Sequence, residues 1–197
     1  MTSEFKTYTL KGKVRYCNIL TPKSFDTATG KQVYDPIGSF NLTMLLTINE
    51  ENNIALKALK NITDNLYLTC KNKENPTIVK PHIPIQKVTI DDTKYYQVKM
   101  KRNAINQKGI AAIIYTYNKD KEKIILEKEP YKNTEIIARF SIADSQRVSE
   151  DNEINHFCTF YLMSMQIIKL VYRKDDTSWC MSAEEQAELD IDNEIPF

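Results

Sequence analysis

The strongest constraint on the fold of this chain is an alternation of apolar and polar residues that recurs in three segments. The clearest runs from Ser39 to Ile48, and its apolar positions are Phe40, Leu42, Met44, Leu46 and Ile48. Tyr95 to Arg102 and Glu135 to Ala143 repeat the pattern, with Val98 and Met100 inward in the first of these. Successive strand residues point to opposite faces, so each segment is predicted to be a β-strand with one buried face.

Further strands are predicted from Lys13 to Leu20, from Ile110 to Tyr117 and, more weakly, from Lys123 to Lys128. Phe157 to Tyr172 is long and almost entirely apolar or aromatic, which predicts a central and bulged strand. Thr21 to Gly38 contains two prolines and two glycines and is interpreted as a long loop.

One helix is predicted between the strand that starts at Ser39 and the strand that starts at Tyr95. Asn49 is a suitable N-cap, and acidic Glu50 and Glu51 follow it. The predicted helix runs to about Leu68, with an apolar stripe at Ile54, Ala55, Ala58, Leu59, Ile62 and Leu66. After it, the proline-containing stretch from Lys71 to Lys94 is expected to hold at most short edge strands.

Together these elements predict a mainly β domain, an OB-fold-like barrel of five or six strands with one helix after the second strand. A β-sandwich is the competing architecture, because strand patterns alone do not distinguish the two.

Charge is divided unevenly along the 197 residues. All 27 Lys and Arg lie at or before Lys174, together with 18 of the 26 Asp and Glu, so the body carries a net +9. The eight remaining acids lie beyond Lys174 and give the tail −8. We therefore predict a domain over residues 1–174 and a disordered acidic tail over 175–197. A basic body indicates a polyanionic ligand, and the acidic tail could compete with that ligand for the basic surface.

Several functional classes are disfavoured. The chain has no long apolar run for a membrane span and no secretory signal near its start. Its four cysteines and two histidines lack metal-ligand spacing, and the cysteines are interpreted as free thiols. No nucleotide-binding loop or nucleophile motif is present. The only candidates for a nuclease metal cluster are Asp91, Asp92 and Asp144, which we interpret as turn residues. No enzyme activity, cofactor or metal is expected.

Cations and aromatic residues support binding of single-stranded nucleic acid, because cations track phosphates and aromatic rings stack on bases. The candidate DNA-binding residues are Lys23, Lys31, Tyr34, Tyr95, Lys99, Lys101, Arg102, Tyr115, Tyr117, Arg139 and Arg147. Phe25 accompanies them in the long loop. The competing interpretations are a solvated lysine face, tyrosines at the rim of the core, and loop aromatics that only anchor the loop.

The tail ends in an acidic string that carries apolar residues. The candidate partner-binding residues are Asp190, Asp192, Glu194, Ile195, Pro196 and Phe197. A partner could enclose the Phe197 ring, clamp its carboxylate and attract the acids. The same string could compete with DNA for the basic body, or it could act only as a solubilising tail.

The ending from Asp192 to Phe197 resembles the acidic Ile-Pro-Phe tip of bacterial single-stranded DNA-binding proteins. The body is instead similar to the single-stranded DNA-binding proteins of podophages, over roughly residues 8 to 174. The stretches that carry this resemblance are Gly12 to Tyr16, Phe40 to Ile48, Tyr96 to Lys101, Ile136 to Ile142 and Phe157 to Val171. In that family a Tyr-basic-Trp motif follows the fifth strand, where this chain has Ser145-Gln146-Arg147.

The resemblance implies an OB fold, sequence-tolerant binding of single strands and strand annealing during phage replication and recombination. It implies a location in the cytoplasm of the infected bacterium, without membrane attachment. It also implies a tail that contacts replication proteins such as DNA polymerase or primase-helicase and that supports a homodimer. The alternative hypothesis is a replisome or host-interaction adaptor that does not bind DNA and uses the tail as a decoy.

Overall fold

The computed structural model describes residues 6–73, 79–106, 108–148 and 154–171, which form ten strands and one helix. The single helix is α1 (Glu50–Lys73). The strands are β1 (Thr7–Asp26), β2 (Lys31–Tyr34), β3 (Ser39–Thr47), β4 (Val79–His82), β5 (Ile85–Ile90), β6 (Thr93–Asn103), β7 (Tyr115–Tyr117), β8 (Lys123–Ile124), β9 (Glu135–Val148) and β10 (Ile154–Lys169).

Five long strands close into a barrel in the order β6, β3, β1, β9 and β10. The circle is completed where β10 lies parallel to β6, with Tyr161 opposite Lys101. The short strands extend this circle: β5 pairs with β6, β2 with β1, β4 and β7 with β10, and β8 with β7. Because the sheet closes on itself, the OB-like barrel is confirmed and the sandwich alternative is wrong.

The core lies inside the barrel and follows the predicted alternation. Leu42 and Met44 of β3, Val98 of β6 and Ile136 of β9 have no appreciable exposure. At the centre, the rings of Phe140 and Phe160 stack with their centroids 4.9 Å apart. The inward parity predicted for the three alternating segments is therefore confirmed within the strands. Ile48 was wrongly predicted to be inward, because it lies just beyond the end of β3 and is 40% exposed.

Helix α1 begins as predicted and ends later. The backbone N–H of Asn52 donates to Asn49 Oδ1 at 2.8 Å, which is an N-cap hydrogen bond. The buried face is centred on Leu56 and Leu59, whereas Ile54 is 64% exposed. Ile54 and Ala58 were wrongly predicted to be inward, because positions two residues before or after Leu56 lie about 200° around the helix from it. No helix in the described ranges is long and apolar enough to cross a membrane.

The segment predicted as a loop from Thr21 to Gly38 is mostly a β-hairpin formed by the end of β1 and by β2. Its turn closes at Gly30, which adopts φ +66°. At its base, a Cβ on Gly38 would lie 2.6 Å from the carbonyl oxygen of Lys23, so only glycine fits there. The prolines and glycines that indicated a loop therefore stand at the bends and ends of the two hairpin strands.

Other strand bounds also differ from the predictions. The segment from Ile110 to Tyr117 forms a strand only at β7, and the weak segment at Lys123 is reduced to the two residues of β8. Strand β10 carries the predicted bulge, at the register shift between Leu162 and Ser164. From residue 79 onward, the crossing after α1 holds the short strands β4 and β5, as predicted.

A carboxylate far along the chain holds β1 where it leaves its regular ladder. The register of β1 with β3 shifts between Asn18 and Lys23. There, Glu129 accepts hydrogen bonds from the backbone N–H groups of Ile19 at 2.8 Å, Leu20 at 2.7 Å and Thr21 at 3.3 Å. This carboxylate replaces the acceptors that a continuous ladder would supply.

We predict that Glu129→Gln lowers the free energy of unfolding by about 1–3 kcal/mol, because the neutral amide is a weaker acceptor and turns a donor toward N–H groups. Urea denaturation measures the loss. Glu127→Gln, at an exposed position two residues away, is the matched control and should change stability by less than about 0.5 kcal/mol. Equal stability of the two variants would contradict the role given to Glu129.

Candidate nucleic-acid interface

The outward face of β6 presents two exposed lysines and a tyrosine. Lys99 and Lys101 are exposed and Tyr95 is half-buried, while Val98 and Met100 between them point into the core. In the ladder with β3, Lys99 lies opposite Thr43 and Lys101 opposite Asn41. Paired residues share a face of the sheet, so small polar side chains flank both lysines. This arrangement leaves the two ammonium groups accessible to an anion.

Strand β1 adds a tyrosine that the sequence pattern did not indicate. A bulge between Val14 and Tyr16 turns both Arg15 and Tyr16 outward, and Tyr16 pairs with Thr43. Tyr16 therefore lies in one row with Thr43 and Lys99, about 10 Å from the lysine strand at normal strand spacing. No parity rule could find Tyr16, because a bulge interrupts the alternation on which such rules depend.

Arg15 and Tyr16, the two outward residues at the bulge, differ in how they are held and charged. Arg15 donates a hydrogen bond to Gln97, whose side chain is buried on the outward side of β6. Burial, and then the nearby Glu129 carboxylate, raises the pKa of Tyr16 above its ordinary value. The phenol therefore stays protonated at neutral pH, so it brings no negative charge near a phosphate.

The hairpin carries two highly exposed aromatic rings on the same side as a lysine. Lys23 pairs with Tyr34 and Phe25 pairs with Gln32, which puts all four on one face of the hairpin. Phe25 is 61% and Tyr34 66% exposed. Rings this exposed do not serve the core, so the interpretation that they only anchor a loop is not supported.

This aromatic face continues the outward face of the barrel. Lys23 pairs with Ser39, and Ser39 has the same parity on β3 as Asn41 and Thr43. We call this continuous area the hairpin surface, and it is composed of Tyr16, Lys23, Phe25, Tyr34, Tyr95, Lys99 and Lys101. It joins cations and aromatic rings from β1, β2 and β6.

A second group of the predicted residues lies further around the barrel. Arg139 of β9 pairs with Ser164 of β10, which pairs with Tyr115 of β7. The next row brings Tyr117 opposite Lys123, whose Nζ lies 4.5 Å from the centroid of the Tyr115 ring. We call Tyr115, Tyr117, Lys123 and Arg139 the β7 surface.

The two surfaces are connected across the closure of the barrel. Lys101 lies opposite Tyr161, and Tyr161 lies opposite Ser141, which has the same parity as Arg139 two residues before it. Two strand spacings and two residues along a strand separate Lys101 from Arg139, or roughly 12 Å. Arg139 is partly held in place, since its Nε donates to Thr7 Oγ1 at 3.3 Å.

Three predicted residues do not join these groups. Arg102 has the opposite parity, lies opposite buried Phe40 and donates to the carbonyl oxygen of Leu162 at 3.3 Å. Lys31 lies on the other face of the hairpin from Lys23, opposite Asp26. The side chain of Arg147 lies outside the described residues, as do all the candidate residues of the tail.

The acidic candidates for metal chemistry do not form a cluster. Asp91 and Asp92 have φ of 47° and 59° and connect β5 to β6 as the two-residue turn of a hairpin. Asp144 was wrongly placed in a turn, because it lies within β9 opposite Cys158. Among the described residues, no three His, Cys, Asp or Glu lie close enough to hold a metal ion.

Two of the cysteines are described with their side chains, and both are buried and outside any disulfide. Burial, and then the Glu129 carboxylate, raises the pKa of the Cys17 thiol well above its usual range. A thiol that stays protonated and enclosed is a poor nucleophile. Cys17 therefore acts as a core residue.

No family model matches this chain. No curated protein matches it in sequence either. Among solved structures, the chain is similar to gp2.5, a single-stranded DNA binding protein encoded by bacteriophage T7. The TM-score is 0.65 and the identity 12%, over 98% of this chain and 96% of that one.

Two structures of the single-stranded DNA-binding protein from bacteriophage Enc34 are also similar. The C-terminal truncation gives a TM-score of 0.52 at 13% identity, over 84% of this chain and 87% of that one. The complex with single-stranded DNA gives 0.51 at 12% identity, over 85% and 89%. At such identities the likeness establishes a common fold.

Proposed function

We propose that this protein binds single-stranded DNA without sequence preference and without catalysis. The observation that carries the proposal is the hairpin surface, on which exposed rings and lysines share one continuous outward face. Single strands are bound by this combination, with cations along the phosphates and rings against the bases. The similar T7 and Enc34 structures support it, since both proteins are described as binding single-stranded DNA.

Each residue of the hairpin surface has a separate role in the proposal. Lys23, Lys99 and Lys101 neutralise phosphates, while Phe25 and Tyr34 stack on bases. Tyr16 and Tyr95 flank the lysines and offer a partly exposed ring and a phenol donor. A π-face is common to all bases, so stacking gives affinity without reading sequence.

We further propose that a longer strand continues onto the β7 surface. Tyr115 and Tyr117 would stack on additional bases there, with Arg139 and Lys123 against phosphates. The closed barrel supports this path because its outer face is continuous between Lys101 and Arg139. Arg102 and Arg147 remain candidates of lower rank, the first because its guanidinium is directed to a backbone carbonyl.

We also propose that the protein acts in phage replication and recombination, in the cytoplasm of the infected bacterium. In this proposal the acidic tail recruits replication proteins such as DNA polymerase or primase-helicase, and a homodimer is the working form. The −8 charge beyond Lys174 against +9 before it supports competition of the tail with DNA.

The first experiment is a titration of fluorescent oligo-dT at several salt concentrations, with the full chain and with a variant that ends at Lys174. We expect binding that weakens steeply with salt, because counterions are released from phosphates, and that tightens without the tail. Absence of binding by either form at low salt would contradict the proposal and favour the adaptor hypothesis.

The lysines of β6 give a second prediction. Lys99→Gln combined with Lys101→Gln should lower affinity for oligo-dT and reduce the slope of log K against log salt by about 1.4, or ~0.7 for each lost phosphate contact. Lys94→Gln combined with Lys132→Gln removes the same charge at exposed positions outside both surfaces. If the slope of log K against log salt fell equally in both double variants, the net charge alone would determine affinity, and direct phosphate contacts of Lys99 and Lys101 would be contradicted.

The hairpin rings give a third prediction. Phe25→Ala and Tyr34→Ala should each weaken oligo-dT binding by about 1–3 kcal/mol, or roughly 5- to 150-fold, at unchanged thermal stability. Tyr34→Phe keeps the ring and should bind like the original protein. Ile125→Ala, at a position that is 92% exposed outside both surfaces, is the control. Retained affinity in both alanine variants would remove the hairpin from the interface.

The role of the β7 surface in DNA binding is tested with oligo-dT of two lengths. Tyr115→Ala combined with Arg139→Gln should weaken binding of a 30-nucleotide oligo-dT while leaving a strand of about eight nucleotides unaffected, since the short strand is held by the hairpin surface. Fluorescence anisotropy with both lengths makes the comparison. Equal effects on both lengths would contradict an extended path and favour a single compact site.

A further inference from the structure

A groove outside both DNA-binding surfaces lies between α1 and the β5–β6 edge of the barrel. Its volume is about 390 Å³. The lining residues are Asn53, Leu56, Lys57, Lys60, Ile83, Ile85 and Tyr96. No residue of this group belongs to the hairpin surface or the β7 surface.

The groove combines an apolar floor with a cationic rim. Leu56 is buried, and Ile83 and Ile85 are half-buried. Lys57 is exposed on the helix side, and Lys87 on the strand side lies 5.7 Å from the centroid of the Tyr96 ring. Such a site suits a ligand in which apolar side chains alternate with acids.

Two polar contacts order the walls. The Tyr96 hydroxyl donates to Asn53 Oδ1 at 2.8 Å, which fixes the helix against β6. Lys60 Nζ lies 2.8 Å from Asp64 Oδ2, so part of its charge is already compensated. Lys57 and Lys87 are therefore the main cations for a bound acid.

This groove is separated from the proposed DNA path by the pleat of β6. Tyr96 faces the groove, and its neighbours Tyr95 and Gln97 have the outward parity of Lys99 and Lys101. A ligand in the groove and single-stranded DNA on the hairpin surface thus lie on opposite sides of β6. Both could be bound at once.

The chain itself contains a segment with the complementary chemistry. Asp190-Ile191-Asp192-Asn193-Glu194-Ile195-Pro196-Phe197 alternates three acids with Ile191, Ile195 and Phe197. The apolar members suit the floor formed by Leu56, Ile83 and Ile85, and the acids suit Lys57 and Lys87. Neither DNA nor a purely acidic peptide offers this combination, because neither supplies aliphatic side chains for the floor.

The connecting chain is long enough for the segment to reach the groove. A row of bonded or paired residues leads from the end of β10 to the groove: Val171, Thr134, Val14, Met44, Val98 and Ile85. Five strand spacings amount to about 24 Å. The 18 residues between Val171 and Asp190 can span up to about 60 Å. A tethered segment also has an effective concentration on the order of millimolar.

We propose that the groove between α1 and β5–β6 is a docking site for residues 190–197 of the same chain. Docking holds the acidic–apolar tip on the side of β6 away from the hairpin surface and covers the residues that a partner protein would recognise. The five acids of the tail before residue 190 stay outside the groove and are the ones that compete with DNA. Binding of this peptide segment is a function of the domain in addition to the DNA binding proposed above.

The test compares ¹⁵N NMR spectra of the full chain and of a full-length variant with Asp190→Asn, Asp192→Asn and Glu194→Gln. We expect amide shift differences at residues 56–60 and at Ile83 and Ile85 that persist unchanged on dilution. Absence of differences at these residues, whatever changes near Lys99, would overturn the proposal. Differences that vanish on dilution would overturn docking within one chain and indicate the tip of a second copy.

Charge reversal supplies the matched control. Lys57→Glu combined with Lys87→Glu should abolish the dependence of the Ile83 and Ile85 amide shifts on the acids of the tip. Lys128→Glu combined with Lys132→Glu should preserve this dependence at equal net charge. Persistence in the groove variant would contradict the assigned cations. Oligo-dT titration of the same proteins separates the two proposals, because failure to bind DNA leaves the spectral test unaffected.

Discussion

The continuity of the outward face between the hairpin surface and the β7 surface depends on the pairing of β10 with β6, which closes the sheet into a barrel. Strand β10 also pairs with β9 along its whole length and carries β7 and β4 at its two ends. Closure divides the side chains of five strands into one enclosed set and one outward set. The enclosed set forms a core around Phe140 and Phe160. The outward set becomes a single continuous belt, so cations from β6 and β9 share one surface although some 40 residues separate them.

Strand parity was the part of this arrangement that the sequence predicted well. A residue that faces the core must be apolar, so Leu42, Val98 and Phe140 identified their strands and also identified the outward lysines of β6. Arg102 shows that a residue next to an outward lysine in sequence does not itself face outward, because successive strand residues alternate between faces. It follows Lys101 directly, but it lies on the other side of the strand and its guanidinium is directed to the Leu162 carbonyl.

Features that arise from irregular backbone were not predictable in the same way. The bulge after Val14 exposes Tyr16, and no pattern in the sequence marks it. The hairpin of β1 and β2 was interpreted as a loop because Pro22, Pro36 and Gly38 dominate its composition, although they lie outside its paired segments. Ile54 was misplaced because successive residues of a helix are 100° apart, so a position two residues from buried Leu56 lies on nearly the opposite side of α1. These errors are all local, and they left the topology intact.

The Glu129 carboxylate has a consequence for how the molecule is made. The N–H groups of Ile19 and Leu20 find their acceptor 109 or 110 residues later, and Thr7 pairs with Ser141. On the ribosome, β1 therefore emerges with an unpaired edge long before β9 can cover it. Contacts so distant in sequence slow folding, since a long loop must close before they form. During synthesis this barrel passes through a stage at which its first half is an open sheet, when a chaperone or a neighbouring chain has access to the β1 edge.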